Sequence, residues 1–338
     1  MQHIIASVCQ IEECKKLILD GDVTSLRMAF VLLDNAIEIL MYRRIKSTLS
    51  FNEYWIRADE ASKAYMPKEE YEKWRKDKKI VTPKRVKLLD KFFDEKTKFL
   101  SEDRSYMTKG MASTLRSLHK YRNEIYHNDS VRRDTIKAST ILLFEIACDL
   151  LVKLHPGSTS YYSSKPDCND RKVFFDRYKT ASNQNGMLKD RGLSIIKKSL
   201  RKGISIGIDD LRIALQRTMY DRINESIENI DFIMRDGWRF KTRQKTLKMI
   251  QLVHSGTLIG PVDYKKPLKE FNAKFTMNNI LLWKRQVKNL SRAKTSIRLF
   301  KDFAEIEAGF EELESILTDA AVGLDREIQH QIDMARGK

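Results

Sequence analysis

A helix that is apolar over most of its circumference is encoded by MAFVLLDNAIEILM, residues 28–41. A helix of this pattern belongs at the centre of a bundle, because apolar surface on every face has to be covered by neighbours. Thr24 or Ser25 is its predicted N-cap. Asp34 and Glu38 lie four residues apart on one face, and burying an unpaired carboxylate is costly. We therefore expect a nearby arginine to pair with them.

The rest of the chain also indicates an all-α fold. Only 6 prolines and 13 glycines occur in 338 residues, whereas an all-β protein needs turn residues every few positions. Apolar residues make up 42% and charged residues 32%, as in a folded, charge-rich helical protein. We predict further helices over 4–19, 107–127, from 128–130 to Pro156, 188–202, 209–236 and 276–318. The last is expected to break near Gly309, and a short hairpin is expected within 249–262.

The length favours two domains. The polar segment 158–170 is predicted to be a linker, which divides the chain into a helical bundle over 1–157 and a basic, mainly helical domain over 158–338. The first domain carries a charged insertion at 50–106. No apolar run is long enough for a membrane span, and the N-terminus lacks the pattern of a signal peptide. These features predict a cytoplasmic protein with no membrane partner.

The four cysteines predict neither disulfides nor a metal site. Cys9, Cys14, Cys148 and Cys168 form no CxxC pair and have no histidine at metal-ligand spacing. Cys148 lies in an apolar run, where we expect a buried free thiol. We therefore expect no metal and no other cofactor.

The net charge of +17 is unevenly distributed. Residues 1–155 carry a net charge of +6, residues 156–300 carry +17, and residues 301–338 carry −6. A basic block favours RNA or DNA, because phosphates that are neutralised by Lys and Arg release counterions. A solvated helical surface, a membrane surface or an acidic protein would also explain it. The candidate phosphate contacts in this block are Lys197, Lys198, Arg201 and Lys202.

A second basic run, residues 71–79, interleaves aromatic side chains with cations. Lys73, Trp74 and Arg75 could hold phosphates and stack on bases. The alternative is an exposed helix on which Tyr71 and Trp74 pack inward.

The segment LHKYRNEIYH, residues 118–127, carries the candidate chemistry. Asn123 and His127 share one helical face and Arg122 and Tyr126 the neighbouring one, while Arg122 lies about 140° from His127. Near a helix C-terminus the dipole favours protonated His127, which suits it to proton transfer. Arg122 can donate two N–H groups to a phosphate and offset charge on phosphorus. His119, eight residues before His127, could share a helical face with it, but we interpret it as a packing or surface residue.

In a chain with 26 arginines and six histidines, the bare Arg–His spacing is common by chance. With Asn123 after the arginine, a helical approach and the apolar helix upstream, residues 1–155 resemble the HEPN family (higher eukaryotes and prokaryotes nucleotide-binding). The resemblance implies a helical bundle and metal-independent RNA cleavage by 2′-OH attack, with Arg122 and His127 catalytic and Asn123 supporting them. From the burial argument we add Glu38 as the residue that orients Arg122, with Asp34 and Tyr126 as further supporting residues.

The same resemblance implies RNA as the substrate and a homodimer in which two Arg–His motifs form one composite site. It also implies a toxin or antiviral defence effector, with an antitoxin or regulatory protein as a further partner. Some members of the family are inactive. Two other interpretations therefore stay open: a helical module that binds nucleic acid without cleaving it, and an interaction protein whose positive charge meets an acidic partner.

Overall fold

A computed structural model describes residues 2–127, 133–155, 176–178, 190–238, 240–256 and 265–336. These residues form helices joined by short connections, and they contain no strand, which confirms the all-α prediction. None of the described helices is long and apolar enough to span a membrane. The chain divides into two compact units, Met1–Gly207 and Ile208–Lys338.

The helices of the first unit follow one another in chain order. They are α1 (Gln2–Asp20), α2 (Val23–Thr48), α3 (Asn52–Tyr65), α4 (Lys68–Lys78), α5 (Pro83–Lys91), α6 (Phe93–Lys98), α7 (Lys109–His127), α8 (Arg133–Lys153) and α9 (Asp190–Arg201). A π-helical turn, Phe99–Asp103, continues α6.

Helix α2 is the central helix of this unit and packs against α1, α6, α7 and α8. The predicted cap, Thr24 or Ser25, is wrong by two or three residues, because the side chain of Asp22 accepts the hydrogen bond from the Ser25 amide at 3.0 Å. Phe30, Leu33 and Ile37 are completely buried. The apolar residues from which a central helix was predicted thus form part of the core of the unit.

The segment 50–106 is only partly an insertion. Helices α3 and α4 form a hairpin whose ends are joined by Asn52, which exchanges hydrogen bonds of 2.8 and 2.9 Å with the backbone of Val81. Helix α6 instead packs on α2 and α7, and it buries Phe93 there. The C-terminal part of the segment therefore belongs to the core.

The first unit extends beyond the predicted boundary at 157, as far as Gly207. Helix α9 packs on α8 and α1, since Leu193, Ile196 and Leu200 are buried there. Counted by these units, residues 1–207 carry 40 Lys+Arg against 27 Asp+Glu (+13), and residues 208–338 carry 23 against 19 (+4). Most of the positive charge thus lies in the unit that holds the Arg–His motif.

The second unit is also helical. It comprises α10 (Ile208–Phe232, continued by the π-helical turn Ile233–Gly237), α11 (Arg243–His254), α12 (Lys265–Glu270), α13 (Met277–Asn289, followed by the 3-10 turn Leu290–Arg292) and α14 (Ser296–Ala335). Phe300, Phe303 and Phe310 of α14 are completely buried. Arg222 of α10 pairs with both Glu307 and Glu314 of α14, which ties the two longest helices of the unit together.

Two predictions for the second unit are wrong. Residues 249–254 lie in α11 and not in a hairpin, and residues 257–264 lie outside the described residues. The break expected near Gly309 lies at 293–295, before α14. Gly309 lies within α14 and faces Trp283, because a Cβ there would lie 3.4 Å from Nε1 of the indole.

Candidate active site

Arg122 lies on the inner side of α7, as its spacing from buried Leu115 and Leu118 predicts. Its Nη1 donates a hydrogen bond of 2.9 Å to Oδ1 of Asn123. Its Nε lies 3.6 Å from Oδ2 of Asp34, which forms an ion pair. Arg122 is therefore held by a carboxylate and an amide, while 27% of its side chain remains exposed.

Asp34 is the buried centre of this arrangement. It is 2% exposed on α2, and both its oxygens lie within hydrogen-bond distance of Nδ1 of His119, at 3.1 and 3.0 Å. The His119 imidazole stacks on the ring of Phe93, with 3.9 Å between centroids and 5° between planes. A carboxylate at Nδ1 favours the tautomer with a proton on that nitrogen, which leaves Nε2 able to accept one.

The structure corrects the role expected of Glu38. Its Oε1 accepts a hydrogen bond of 2.6 Å from Nζ of Lys96 on α6. The carboxylate that reaches Arg122 is Asp34, one helical turn earlier. The positions at which α6 and α7 cross α2 determine which carboxylate pairs with Arg122. Helix α7 contacts α2 at Asp34, while Lys96 of α6 lies beside Glu38.

From the sequence, His119 is predicted to be a packing or surface residue. Its stacking on Phe93 confirms that part, but its contact with Asp34 adds it to the Arg122 cluster. The available signal was spacing: His119 lies three residues before Arg122, on the same helical face. Asp34, His119, Arg122 and Asn123 together are called the Asp34 cluster below.

The backbone of α7 continues through Tyr126 and His127. The side chains of both lie outside the described residues, as do the expected helix stop and cap at 128–130. Arg122 and His127 therefore share one helix, and the roles expected of His127 and Tyr126 stay predictions.

An apolar concavity of about 440 Å³ lies beside the last turns of α7. Ile125 of α7 lines it together with Thr24, Arg27, Met28, Val31 and Leu32 of α2. Met28 is 53% exposed. The side of α2 next to the motif thus presents apolar surface to its surroundings.

The aromatic and basic run of α4 packs partly inward. Trp74 lies edge-on to Trp55 of α3, with 6.2 Å between ring centroids. Arg75 pairs with Asp59 at 3.5 Å, and Tyr71 donates a hydrogen bond of 2.9 Å to the same carboxylate. Lys73 is exposed. The alternative in which Tyr71 and Trp74 face the protein matches this half-buried arrangement, and Lys73 remains a candidate phosphate contact.

The four basic residues of α9 and its C-terminal end divide into two pairs. Lys197 pairs with Asp149 of α8, and Arg201 pairs with Glu145 at 3.3 Å. Lys198 and Lys202 are exposed. Helix α9 therefore uses half of its predicted phosphate contacts to bind α8.

The described cysteines have no part in the cluster. Cys14 and Cys148 are buried free thiols and Cys9 is exposed, while Cys168 lies outside the described residues. Burial raises the pKa of Cys148 to about 12. Within the described ranges, no three His, Cys, Asp or Glu side chains are grouped as metal ligands.

Searches against models of known protein families, against curated proteins and against solved structures returned no match to this chain. The geometry of the Asp34 cluster and the charge of the first unit are therefore the basis for the function.

Proposed function

We propose that this chain is a HEPN-type endoribonuclease that cleaves RNA through attack of the ribose 2′-OH on the adjacent phosphate, without a metal ion. The observation that carries the proposal is the Asp34 cluster. A buried carboxylate and an amide hold Arg122, while 27% of its side chain stays exposed on the helix that also bears His127. The net charge of +13 on residues 1–207 supports a polyanionic substrate.

The proposed reaction is a transesterification. A base removes the proton of the 2′-OH, the 2′ oxygen forms a bond to phosphorus, and the bond from phosphorus to the 5′ oxygen breaks. The leaving 5′ oxygen takes up a proton, so the products are a 2′,3′-cyclic phosphate and a 5′-OH end. Arg122 offsets the charge that develops on the phosphate oxygens. His127 exchanges the protons, as its position at the helix C-terminus predicts.

Asp34 has a positioning role in this proposal. Its carboxylate pairs with Nε of Arg122, and Asn123 accepts a hydrogen bond from Nη1. Together the two contacts restrict the orientations that the guanidinium adopts. Preorganised charge of this kind is effective because it needs no rearrangement when the transition state forms. His119 completes the support, since its Nδ1 lies within hydrogen-bond distance of both oxygens of the same carboxylate.

The active form in this proposal is a homodimer. The concavity between α2 and Ile125 is the surface on which a second copy would bring its own α7 close to the first. Its apolar lining and the exposure of Met28 support a protein contact there. The cleavage rate per chain should then fall when the protein is diluted below the dissociation constant of the dimer.

The test uses purified full-length protein, total RNA and EDTA. We expect discrete cuts with cyclic phosphate ends, and a loss of about 10²- to 10⁴-fold in rate for Arg122→Ala and His127→Ala. Arg116→Ala, on the same helix, and His330→Ala, which is exposed in the second unit, are the matched controls. Circular dichroism verifies that each variant is folded. Equal cleavage by the parent and both site variants rejects the proposal.

The same experiment separates the alternatives. Salt-sensitive RNA binding without any cleavage identifies a non-catalytic nucleic-acid module. Absence of both RNA binding and RNA cleavage identifies a protein whose positive charge binds another kind of partner.

We further propose that the protein is a toxin or antiviral effector in the cytoplasm, with an antitoxin or regulator as its partner. This proposal predicts that expression arrests growth and that His127→Ala relieves the arrest.

A further inference from the structure

The opposite end of α7 opens into a second cavity, remote from Arg122. Its volume is about 540 Å³, within the range of small-ligand sites. Ser101, Ser105, Tyr106, Met107, Thr108, Lys109 and Lys153 line it. Lys109 and Arg122 are 13 residues apart, so the helical rise separates them by about 20 Å. The cavity is therefore not part of the Asp34 cluster.

The charged side chains that line this cavity are both cations. Lys109 stands at the first turn of α7 and Lys153 at the last turn of α8. Neither forms an ion pair within the described parts of the chain, although Lys46, Lys96 and Lys197 all do. Asp103, the acid nearest to Lys109 along the chain, pairs with Arg85 at 2.7 Å, and Asp149, four residues before Lys153, pairs with Lys197. The positive charge in the cavity is thus left uncompensated by neighbouring carboxylates.

Backbone groups add to this positive field. The first amides of a helix have no acceptor within it, and the dipole places partial positive charge at that end. Thr108 caps one of them, because its Oγ1 accepts a hydrogen bond of 3.2 Å from the amide of Met111. The first turn of α7 contains no acidic residue and begins with a lysine. A lysine at this end repels the positive end of the helix dipole and destabilises the helix alone, whereas a bound anion would offset both positive charges.

Tyr106 is the aromatic residue in the lining of the cavity, and two arginines beside it show that the surroundings are positively charged. The guanidinium of Arg44 covers its ring at 3.9 Å from the centroid. Burial raises the pKa of Tyr106, but a hydrogen bond with Thr48 and the charges of Arg44 and Arg104 outweigh it and lower the pKa below its usual value. Ser105, at φ +55°, holds a left-handed conformation next to it. Such strained non-glycine residues cluster at ligand sites.

We propose that this cavity binds a phosphate group, carried by a mononucleotide or by the 5′ end of an RNA chain, between Lys109, Lys153 and the N-terminus of α7. The two lysines neutralise the phosphate charge, and Ser105 and Thr108 line the same cavity. The site goes beyond the proposed cleavage activity and does not depend on it.

Calorimetric titration of the full-length protein tests the site, with AMP as the probe and adenosine as its phosphate-free control. We expect AMP to bind, adenosine not to bind, and Lys109→Gln combined with Lys153→Gln to weaken AMP binding at least about tenfold. Both lysines are exposed and form no ion pair in the described chain, so the variant should fold. Lys63→Gln with Lys137→Gln removes the same charge from exposed positions of the same unit and should leave binding within about twofold.

A second arm distinguishes the two sources of phosphate. A 2′-O-methyl tetranucleotide, which has no 2′-OH to attack, is titrated with and without a 5′-phosphate. Preference for the phosphorylated form over AMP assigns the site to an RNA end, and the reverse assigns it to a nucleotide. The proposal is overturned if neither AMP nor the 5′-phosphorylated tetranucleotide binds, or if the lysine variant binds both as the parent does. Arg122→Ala should bind both normally, so loss of cleavage and loss of this site are separable.

Discussion

Asp34 of α2 and His119 of α7 are 85 residues apart in sequence, yet the carboxylate lies 3.0 Å from Nδ1 of the imidazole. The same carboxylate forms the ion pair with Arg122 at 3.6 Å. One buried acid thus fixes two side chains that are three residues apart on α7. Because a buried carboxylate needs compensating partners, this contact also determines how α7 is rotated against α2.

Asp34→Asn should reduce RNA cleavage by about 10- to 100-fold while the protein stays folded. Asparagine keeps the shape but removes the charge that holds Arg122, and small misplacements of a catalytic group have costs of this size. Single-turnover cleavage with saturating protein isolates the effect on the chemical step. Asp90→Asn, which disturbs only the exposed pair with Lys46, is the control. An unchanged rate in Asp34→Asn would mean that Asp34 does not position Arg122.

Glu38→Ala should affect stability more than cleavage. Only 4% of the Lys96 side chain is exposed, so the substitution leaves a buried ammonium without its partner. We expect a loss of roughly 1–3 kcal/mol in the free energy of unfolding, measured in urea. The exposed pair Lys46–Asp90 provides the comparison, since Asp90→Ala should cost no more than about 1 kcal/mol. Equal losses in the two variants would contradict the burial argument.

Gly309 should accept alanine but not leucine. The Cβ of alanine would meet Nε1 of Trp283 at 3.4 Å, an ordinary contact, and alanine favours the helix by about 1 kcal/mol over glycine. Leucine would extend into the indole and cost about 1–3 kcal/mol through overpacking. Urea unfolding followed by Trp fluorescence measures both variants. A strongly destabilised Gly309→Ala protein would show that the position requires glycine for another reason.

The described cysteines should differ sharply in their reaction with a thiol reagent at pH 8. With a pKa of about 12, only about one in 10⁴ of the Cys148 thiols is ionised at that pH, and burial blocks access as well. The same holds for Cys14, whose pKa burial also raises to about 12. In a Cys168→Ser protein we expect exposed Cys9 to react first, and Cys14 and Cys148 only after unfolding. Rapid modification of Cys14 and Cys148 in native protein would contradict their burial.

Much of the first unit could be predicted from local pattern. The apolar periodicity of 28–41 predicts a central helix, and the spacing of Leu115, Leu118 and Arg122 predicts the inner side of α7. These predictions hold because helical period and burial are properties of consecutive residues. The predicted boundary at 157 did not hold, since the burial of α9 against α8 is a long-range contact without a local signal.

Helical spacing alone could not predict whether Asp34 or Glu38 pairs with Arg122. Both lie on one face of α2, and both have the charge that Arg122 requires. Their partners depend on where α6 and α7 cross α2, which brings Lys96 to Glu38 and Arg122 with His119 to Asp34. A crossing point is set by side-chain packing among three helices and not by the sequence of any one of them.

The sequence by itself determined the all-α class, the helices that carry the candidate chemistry, and the excess of positive charge. These follow from residue type and helical spacing. Only the tertiary structure decided that Asp34 holds Arg122, that His119 belongs with them, and that Lys109 and Lys153 face one cavity without a carboxylate between them. Those facts depend on contacts between helices far apart in the chain, and the burial of Asp34 makes its charge require partners.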